Sequence, residues 1–368
     1  MKRVRFLMIG GFLGAGKTTA IARLARHYMD QELNVGLVTN DQAYNLVDTE
    51  SLRAQGFRVG EVPGACFCCK FDDLVDTVSQ LSETDAPDVI IAEPVGSCTD
   101  LVATVIEPMR HLYADRFEVG RLAVLLKPEH GRKILSDGIT AGFSPKAAYI
   151  FLKQIEEADI VAINKIDKLT DSQQQELLEL VKQRFPEKEV VAVSAREGNG
   201  FGELIEAIDE PAYAHKEFMD VDYDVYAEGE AELGWLNCQV RVESDGGVFS
   251  LDELLVSLVG RLRDGLAALN AEPAHLKIMG QTPESFGVAN LVDSASDVDL
   301  SLASEVNTAS ADLTINARVA FAPEDLEQVV TTSVAYVAVQ FGLTHAITGM
   351  QRFRPGRPVP THRMTAND

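Results

Sequence analysis

GFLGAGKTT, residues 11–19, decides how the rest of the chain is read. It fits the spacing of a phosphate-binding loop, with Gly11, Gly16, Lys17 and Thr18 at the diagnostic places. VRFLMI at 4–9 precedes it as a buried strand, and AIARLARHYM at 20–29 follows it as a helix. The residue types have physical reasons. Glycines let backbone N–H groups wrap around phosphate oxygens. The helix N-terminus adds a field that favours negative charge. Lys17 can bridge the outer phosphates, and Thr18 can offer its hydroxyl to Mg2+.

Outward from this loop, other polar residues stand at the ends of apolar runs. NVGLVTND at 34–41 reads as a second strand with Asp41 at its carboxyl end, where open α/β sheets place ligands. Asp41 either holds Mg2+ or its water shell, or caps a turn. Gln42 and Tyr44 follow it as candidate switch residues. VIIAEPVGS at 89–97 is a third strand ending in Glu93. Glu93 either accepts hydrogen bonds from magnesium-bound water or orients an attacking water. Gly96 lets the backbone approach the terminal phosphate. DIVAINKID at 159–167 places Asn164, Lys165 and Asp167 at another strand end. An aspartate at 167 can accept two hydrogen bonds from guanine N1–H and the exocyclic amine. Adenine lacks that donor pair, so ATP would leave the carboxylate unpaired. Lys165 can lie along the base and Asn164 can brace the loops. EVVAVSAREG at 189–198 supplies Ser194 and Ala195 as support for the other edge of the purine.

Five cysteines are present, and Cys66, Cys68 and Cys69 form C-x-C-C within GEVPGACFCCKFDDL, residues 60–74. Crowding of this kind fits a reduced thiol site better than a disulfide scaffold. Thiolates bind soft or borderline metals, zinc first, with nickel or cobalt as alternatives. Cys98 and Cys238 read as packing residues.

Alternating strands and helices over residues 1–216 argue a mostly parallel α/β sheet with helices on both faces. Residues 217–232 hold seven acidic residues and no basic one, and read as a linker. Residues 233–350 read as a smaller α+β domain in the order β-α-β-β-β-α, with Ser250 as a helix cap and His275 and Lys277 on a strand. The stretch 351–368 is a proline-rich tail in which Arg352, Arg354, Arg357 and Arg363 reverse the local charge, fit for docking on an acidic surface or for disorder.

The chain is long enough for two packed domains, at 368 residues with 46% hydrophobic. Formal net charge is -23, which disfavours nucleic acid and anionic membranes as partners. No secretory signal or 18-residue apolar run is read, so a cytoplasmic setting is expected.

GFLGAGKTT, EVPGACFCC, EPVG and NKID together resemble the SIMIBI-class metal-chaperone GTPases, particularly the cobalamin-synthesis-protein W-like branch. The urease and hydrogenase nickel-insertion GTPases are relatives of that branch. The resemblance implies a GTPase binding GTP or GDP with Mg2+ through Gly11, Gly14, Ala15, Gly16, Lys17, Thr18 and Thr19. It implies Thr18, Asp41 and Glu93 on the magnesium side with Gly96 beside them, and guanine reading by Asn164, Lys165 and Asp167. It further implies a transition metal on Cys66, Cys68 and Cys69, a nucleotide-dependent homodimer, and a metalloprotein or cobalamin-dependent client. A metallochaperone is the leading expectation. A chaperone of a corrinoid protein with structural cysteines and a small-molecule kinase are the alternatives.

Overall fold

The computed structural model describes residues 3–42, 46–137, 144–215 and 217–366. Tyr44 lies outside them. The helices are α1 (Lys17–Met29), α2 (Val47–Ala54), α3 (Phe71–Asp85), α4 (Glu107–Leu112), α5 (Pro128–Asp137), α6 (Pro145–Glu157), α7 (Asp171–Arg184), α8 (Phe201–Asp209), α9 (Tyr223–Ala231), α10 (Leu251–Ala268) and α11 (Pro323–Gln340). Two compact units are formed. The first comprises 1–42, 56–229 and 357–368, and the second comprises 43–55 and 230–356.

The first unit is built on seven strands: β1 (Val4–Gly11), β2 (Val35–Asp41), β3 (Arg58–Pro63), β4 (Val89–Glu93), β5 (Phe117–Leu126), β6 (Ile160–Ile163) and β7 (Glu189–Ala192). They run in the order β3-β2-β4-β1-β5-β6-β7, and every described pairing among them is parallel. The central strands are buried throughout, which explains their continuous apolar runs. The chain leaves β1 toward one side of the sheet and later passes to the other side through β5. The carboxyl end of β1 is therefore the topological switch point, where ligands of such sheets bind.

Local signals set several helix boundaries. Helix α6 starts at Pro145 behind Ser144, whose side chain accepts a hydrogen bond from the Ala147 N–H. Helix α7 starts at a capping box of Thr170 and Gln173, slightly before the expected start near Ser172. The helix expected over 99–114 is split: Val102–Ile106 forms a π-helical turn that runs into α4. The acidic stretch 217–232 carries α9.

The second unit holds β8 (Gly234–Ser244), β9 (Phe249–Ser250), β10 (Glu272–Gln281), β11 (Phe286–Leu291), β12 (Asp299–Leu302), β13 (Asn307–Thr308), β14 (Ser310–Ala320) and β15 (Leu343–Phe353). Six of them make an antiparallel sheet in the order β12-β11-β10-β14-β8-β15. Alternation places Ile278 and Ala289 in the main core beneath α10 and α11. Their chain neighbours Met279 and Val288 pack with Val47 of α2 instead. Ser250 caps α10 by accepting from the Glu253 N–H. Cys238 lies in the core, as expected of it. Lys277 pairs with Asp48 of α2. The start of the expected tail, 351–353, completes β15.

Candidate nucleotide site and sulfur cluster

Loops from five strand ends build the site. Gly16 has φ 93°, and a Cβ there would stand 2.5 Å from Asn164 Nδ2. Glycine is therefore required both for the backbone shape and for the approach of the β6 loop. Lys17 is buried and donates to the Gly11 carbonyl at 3.0 Å. Gly14 and Ala15 lie between them, with the Ala15 N–H bonded to the Phe12 carbonyl at 3.1 Å. Thr18 Oγ1 lies 3.3 Å from Glu93 Oε1. Thr19 is exposed. A methyl group at Gly96 would stand 3.0 Å from Lys17 Nζ and 2.8 Å from Leu13 Cδ2. The Glu93–Gly96 turn thus runs directly against the phosphate-loop lysine.

On the opposite side, Asn164 joins two loops. Its Nδ2 donates to the Ala15 carbonyl at 2.8 Å, and its Oδ1 accepts from the Ala195 N–H at 2.9 Å. Lys165 adopts a left-handed conformation at φ 63°. Ser194 Oγ donates to Asp167 Oδ1 at 2.5 Å, leaving the Asp167 residue exposed at the mouth of these loops.

The strand register brings Thr39 of β2 beside Glu93 of β4, and Asp41 beside Pro63 of β3. The Asp41 carbonyl accepts from the Gly64 N–H at 3.0 Å. Asn40 was not singled out by sequence reading, but it organises the cysteine loop. Its buried Nδ2 donates to the carbonyls of Val62 at 2.6 Å and Ala65 at 2.7 Å, and its Oδ1 accepts from the Phe67 N–H at 2.8 Å. A polar residue at a strand end is the only signal, and it does not say which loop it holds.

This loop gathers Cys66, Cys68 and Cys69 within 4.8 Å of one another. The sulfur separations are 2.9 Å for Cys66–Cys68, 3.3 Å for Cys66–Cys69 and 3.7 Å for Cys68–Cys69. Tetrahedral zinc with sulfur at ~2.3 Å needs sulfurs about 3.8 Å apart, so the trio fits one such ion after small adjustments. Hydrogen bonds with Cys68 and Cys69 hold Cys66 well below the usual thiol range. The bond with Cys66 pushes Cys68 well above that range and raises Cys69 to about 11. Cys66 is therefore the sulfur that ionises first.

Cys98, expected to be a packing residue, instead hydrogen-bonds Cys66. Buried Gln154 fixes its turn by donating to the carbonyls of Gly96 at 3.1 Å and Cys98 at 2.8 Å. The end of the tail also returns here. The Val359 N–H donates to Cys69 Sγ at 3.2 Å, and the Thr361 N–H donates to the Cys68 carbonyl at 2.8 Å. His362 meets Phe71 edge-on at 5.0 Å, and Arg363 pairs with buried Asp100 at 2.8 Å.

Residues 5–192, just over half of the chain, match the family model described as CobW/HypB/UreG, nucleotide-binding domain. The chain belongs to this family. Among curated members, this CobW/HypB/UreG chain is similar to the zinc chaperone YeiR of Escherichia coli (strain K12), at 28% identity over 191 residues, or 50% of this chain and 53% of the relative. It is also similar to the zinc chaperone CobW of a Sinorhizobium species, at 35% identity over 97 residues, or 24% and 27% of the two chains. The chain thus spans about half the length of the first relative and about a quarter of the second. Among solved structures, HypB from Helicobacter pylori in complex with nickel is similar at 19% identity and a TM-score of 0.42, covering 58% of this chain and 92% of that one. Among the described residues, no helix is long and apolar enough to cross a membrane.

Proposed function

We propose that this protein hydrolyses GTP and uses its nucleotide state to control the hand-over of a transition metal, zinc first, to a client metalloprotein. One observation carries the reading: the end of β2 serves both sites. Asp41 stands at the nucleotide side of that strand end and holds Gly64 through its carbonyl. Asn40, its neighbour, holds the loop of Cys66, Cys68 and Cys69 through three hydrogen bonds. A movement of the strand end on nucleotide exchange is therefore felt at the sulfurs.

Lys17 and the backbone N–H groups of Gly14 to Thr19 would neutralise and orient the phosphates. Thr18 and Glu93 would hold Mg2+, directly or through its water, with Asp41 in support. The contact between Thr18 Oγ1 and Glu93 Oε1 supports this assignment, since two adjacent oxygens can serve one octahedral ion. Magnesium, when bound, neutralises charge developing on the phosphate oxygens. Gly96 admits the backbone beside the terminal phosphate. Asp167, backed by Ser194, would read guanine, with Lys165 along the base and Ala195 closing the other edge. Catalysis here is positioning and charge stabilisation, with no covalent intermediate.

The test is a zinc titration of the reduced protein with GDP and with a non-hydrolysable GTP analogue. State-dependent affinity that disappears in the Cys66/Cys68/Cys69 triple serine variant is the expected result. Equal affinities in both states reject the coupling. In parallel, Asp167→Ala should lose preference for GTP over ATP, and a retained preference rejects the guanine assignment.

A further inference from the structure

The metal reading above leaves one coordination question. Three sulfurs crowd one short turn, and a tetrahedral ion needs a fourth ligand. Cys98 meets the cluster from another part of the chain. It is 1% exposed, and its side chain hydrogen-bonds Cys66. Its backbone is held on both sides: its N–H donates to the Val95 carbonyl at 2.9 Å, and its carbonyl accepts from Gln154 at 2.8 Å. A core cysteine ordinarily packs among apolar side chains. This one presents sulfur to sulfur at the corner where the trio's thiolate forms.

We infer that Cys98 is the fourth sulfur ligand of the cluster, so that the metal is held by Cys66, Cys68, Cys69 and Cys98 in a four-thiolate site. The inference rests on metal binding at the C-x-C-C loop. It adds a ligand from the segment after β4, and this changes what the site can sense. Gly96, two residues before Cys98, is the residue whose added methyl would stand 3.0 Å from Lys17 Nζ. Gln154 holds Gly96 and Cys98 together through their carbonyls. A ligand on Cys98 therefore joins the metal to the backbone beside the phosphate-loop lysine, by a route separate from β2. A four-thiolate site also selects zinc or cobalt over harder ions. Loading displaces the remaining thiol protons to solvent as the four metal–sulfur bonds form.

The experiment uses the reduced full-length chain loaded with zinc or cobalt(II) alone. X-ray absorption at the zinc edge of the wild-type protein should give four sulfur neighbours at ~2.3 Å. Three sulfurs with one oxygen or nitrogen would overturn the inference, leaving Cys98 as a hydrogen-bond donor to a bound Cys66. With cobalt(II), the sulfur-to-metal charge-transfer intensity per ion should fall by about a quarter in Cys98→Ser, one thiolate in four being lost. An unchanged intensity in a variant that still binds GDP would also overturn it. Failure of the broader metal reading looks different: the wild-type protein would take up neither ion at the sulfurs. The zinc-edge measurement needs no variant, so a Cys98→Ser protein that does not fold leaves the inference testable.

Discussion

Two asparagines at strand ends carry the cross-links of the site, and only one was legible in the sequence. Asn164 stands in NKID, whose spacing after a phosphate loop marks it as a loop brace, and its bonds to Ala15 and Ala195 span that gap. Asn40 belongs to no motif. Its partners lie 22 to 27 residues further along, and only the parallel pairing of β2 with β3 brings them to it. Cys98 is similar, because its neighbour Cys66 is remote in sequence. Removing either asparagine side chain strands buried backbone groups at ~1–3 kcal/mol each. Asn164→Ala should weaken GDP binding by at least about tenfold while leaving zinc binding nearly unchanged, as read by calorimetric titration of each ligand. Asn40→Ala should do the reverse. Equal losses of both ligands in both variants would mean that these residues support the fold in general rather than one loop each.

At the scale of elements, the segment after α8 is fastened by a buried histidine. His215 Nδ1 lies 2.9 Å from Glu107 Oε1, and Nε2 lies 3.0 Å from Asp159 Oδ1. Burial alone would lower its pKa, but hydrogen bonds with Asp159 and Glu107 outweigh that and raise it from 6.5 to about 9. The carboxyls of Glu107 and Asp159 are correspondingly held low by His215, against their own burial. Because the folded state binds this proton more tightly, the stabilisation is fully present below pH 6.5 and is lost as pH rises through about 9. The whole effect is on the order of 3 kcal/mol. The stability difference between the wild-type protein and His215→Gln, measured by urea denaturation, should therefore be largest at pH 6 and shrink steadily towards pH 10. A difference independent of pH would show that packing, not charge, accounts for it. The tail makes a second fastening. Its arginines gave a legible charge reversal, and Arg363 does find the buried Asp100 of its own unit. Arg363 is itself 34% exposed, which limits the pair. Arg363→Met still leaves Asp100 buried with less compensation, and should lower the denaturation midpoint by an amount equivalent to about 1–3 kcal/mol.

At the scale of the whole molecule, the α/β class and the smaller α+β unit were legible because periodicity depends only on which faces are buried. Two features were not. β15 is an edge strand with long exposed stretches, so its sequence lacks clean alternation. Helix α2 is short, and nothing in VDTESLRA says which sheet it will cover. It follows the Asp41 strand end in the chain yet belongs to the second unit. There Asn316 Oδ1 accepts from the Val47 N–H at 2.8 Å, Lys277 pairs with Asp48, and Val47 packs with Met279 and Val288. Lys277, a candidate ligand contact from sequence, is thus engaged in holding α2. If these polar contacts fix the helix, the double variant Lys277→Met/Asn316→Ala should open it locally without unfolding the sheet. Each lost contact is worth ~1–3 kcal/mol, so opening should become at least about tenfold more frequent. Arg53 lies inside α2 and gives trypsin a site there. Timed proteolysis with mass spectrometry should show cleavage after Arg53 accelerated by at least that factor, while cleavage in α10, at Arg261 and Arg263, keeps its wild-type rate. Unchanged cleavage after Arg53 would mean that apolar packing of Val47 alone holds the helix.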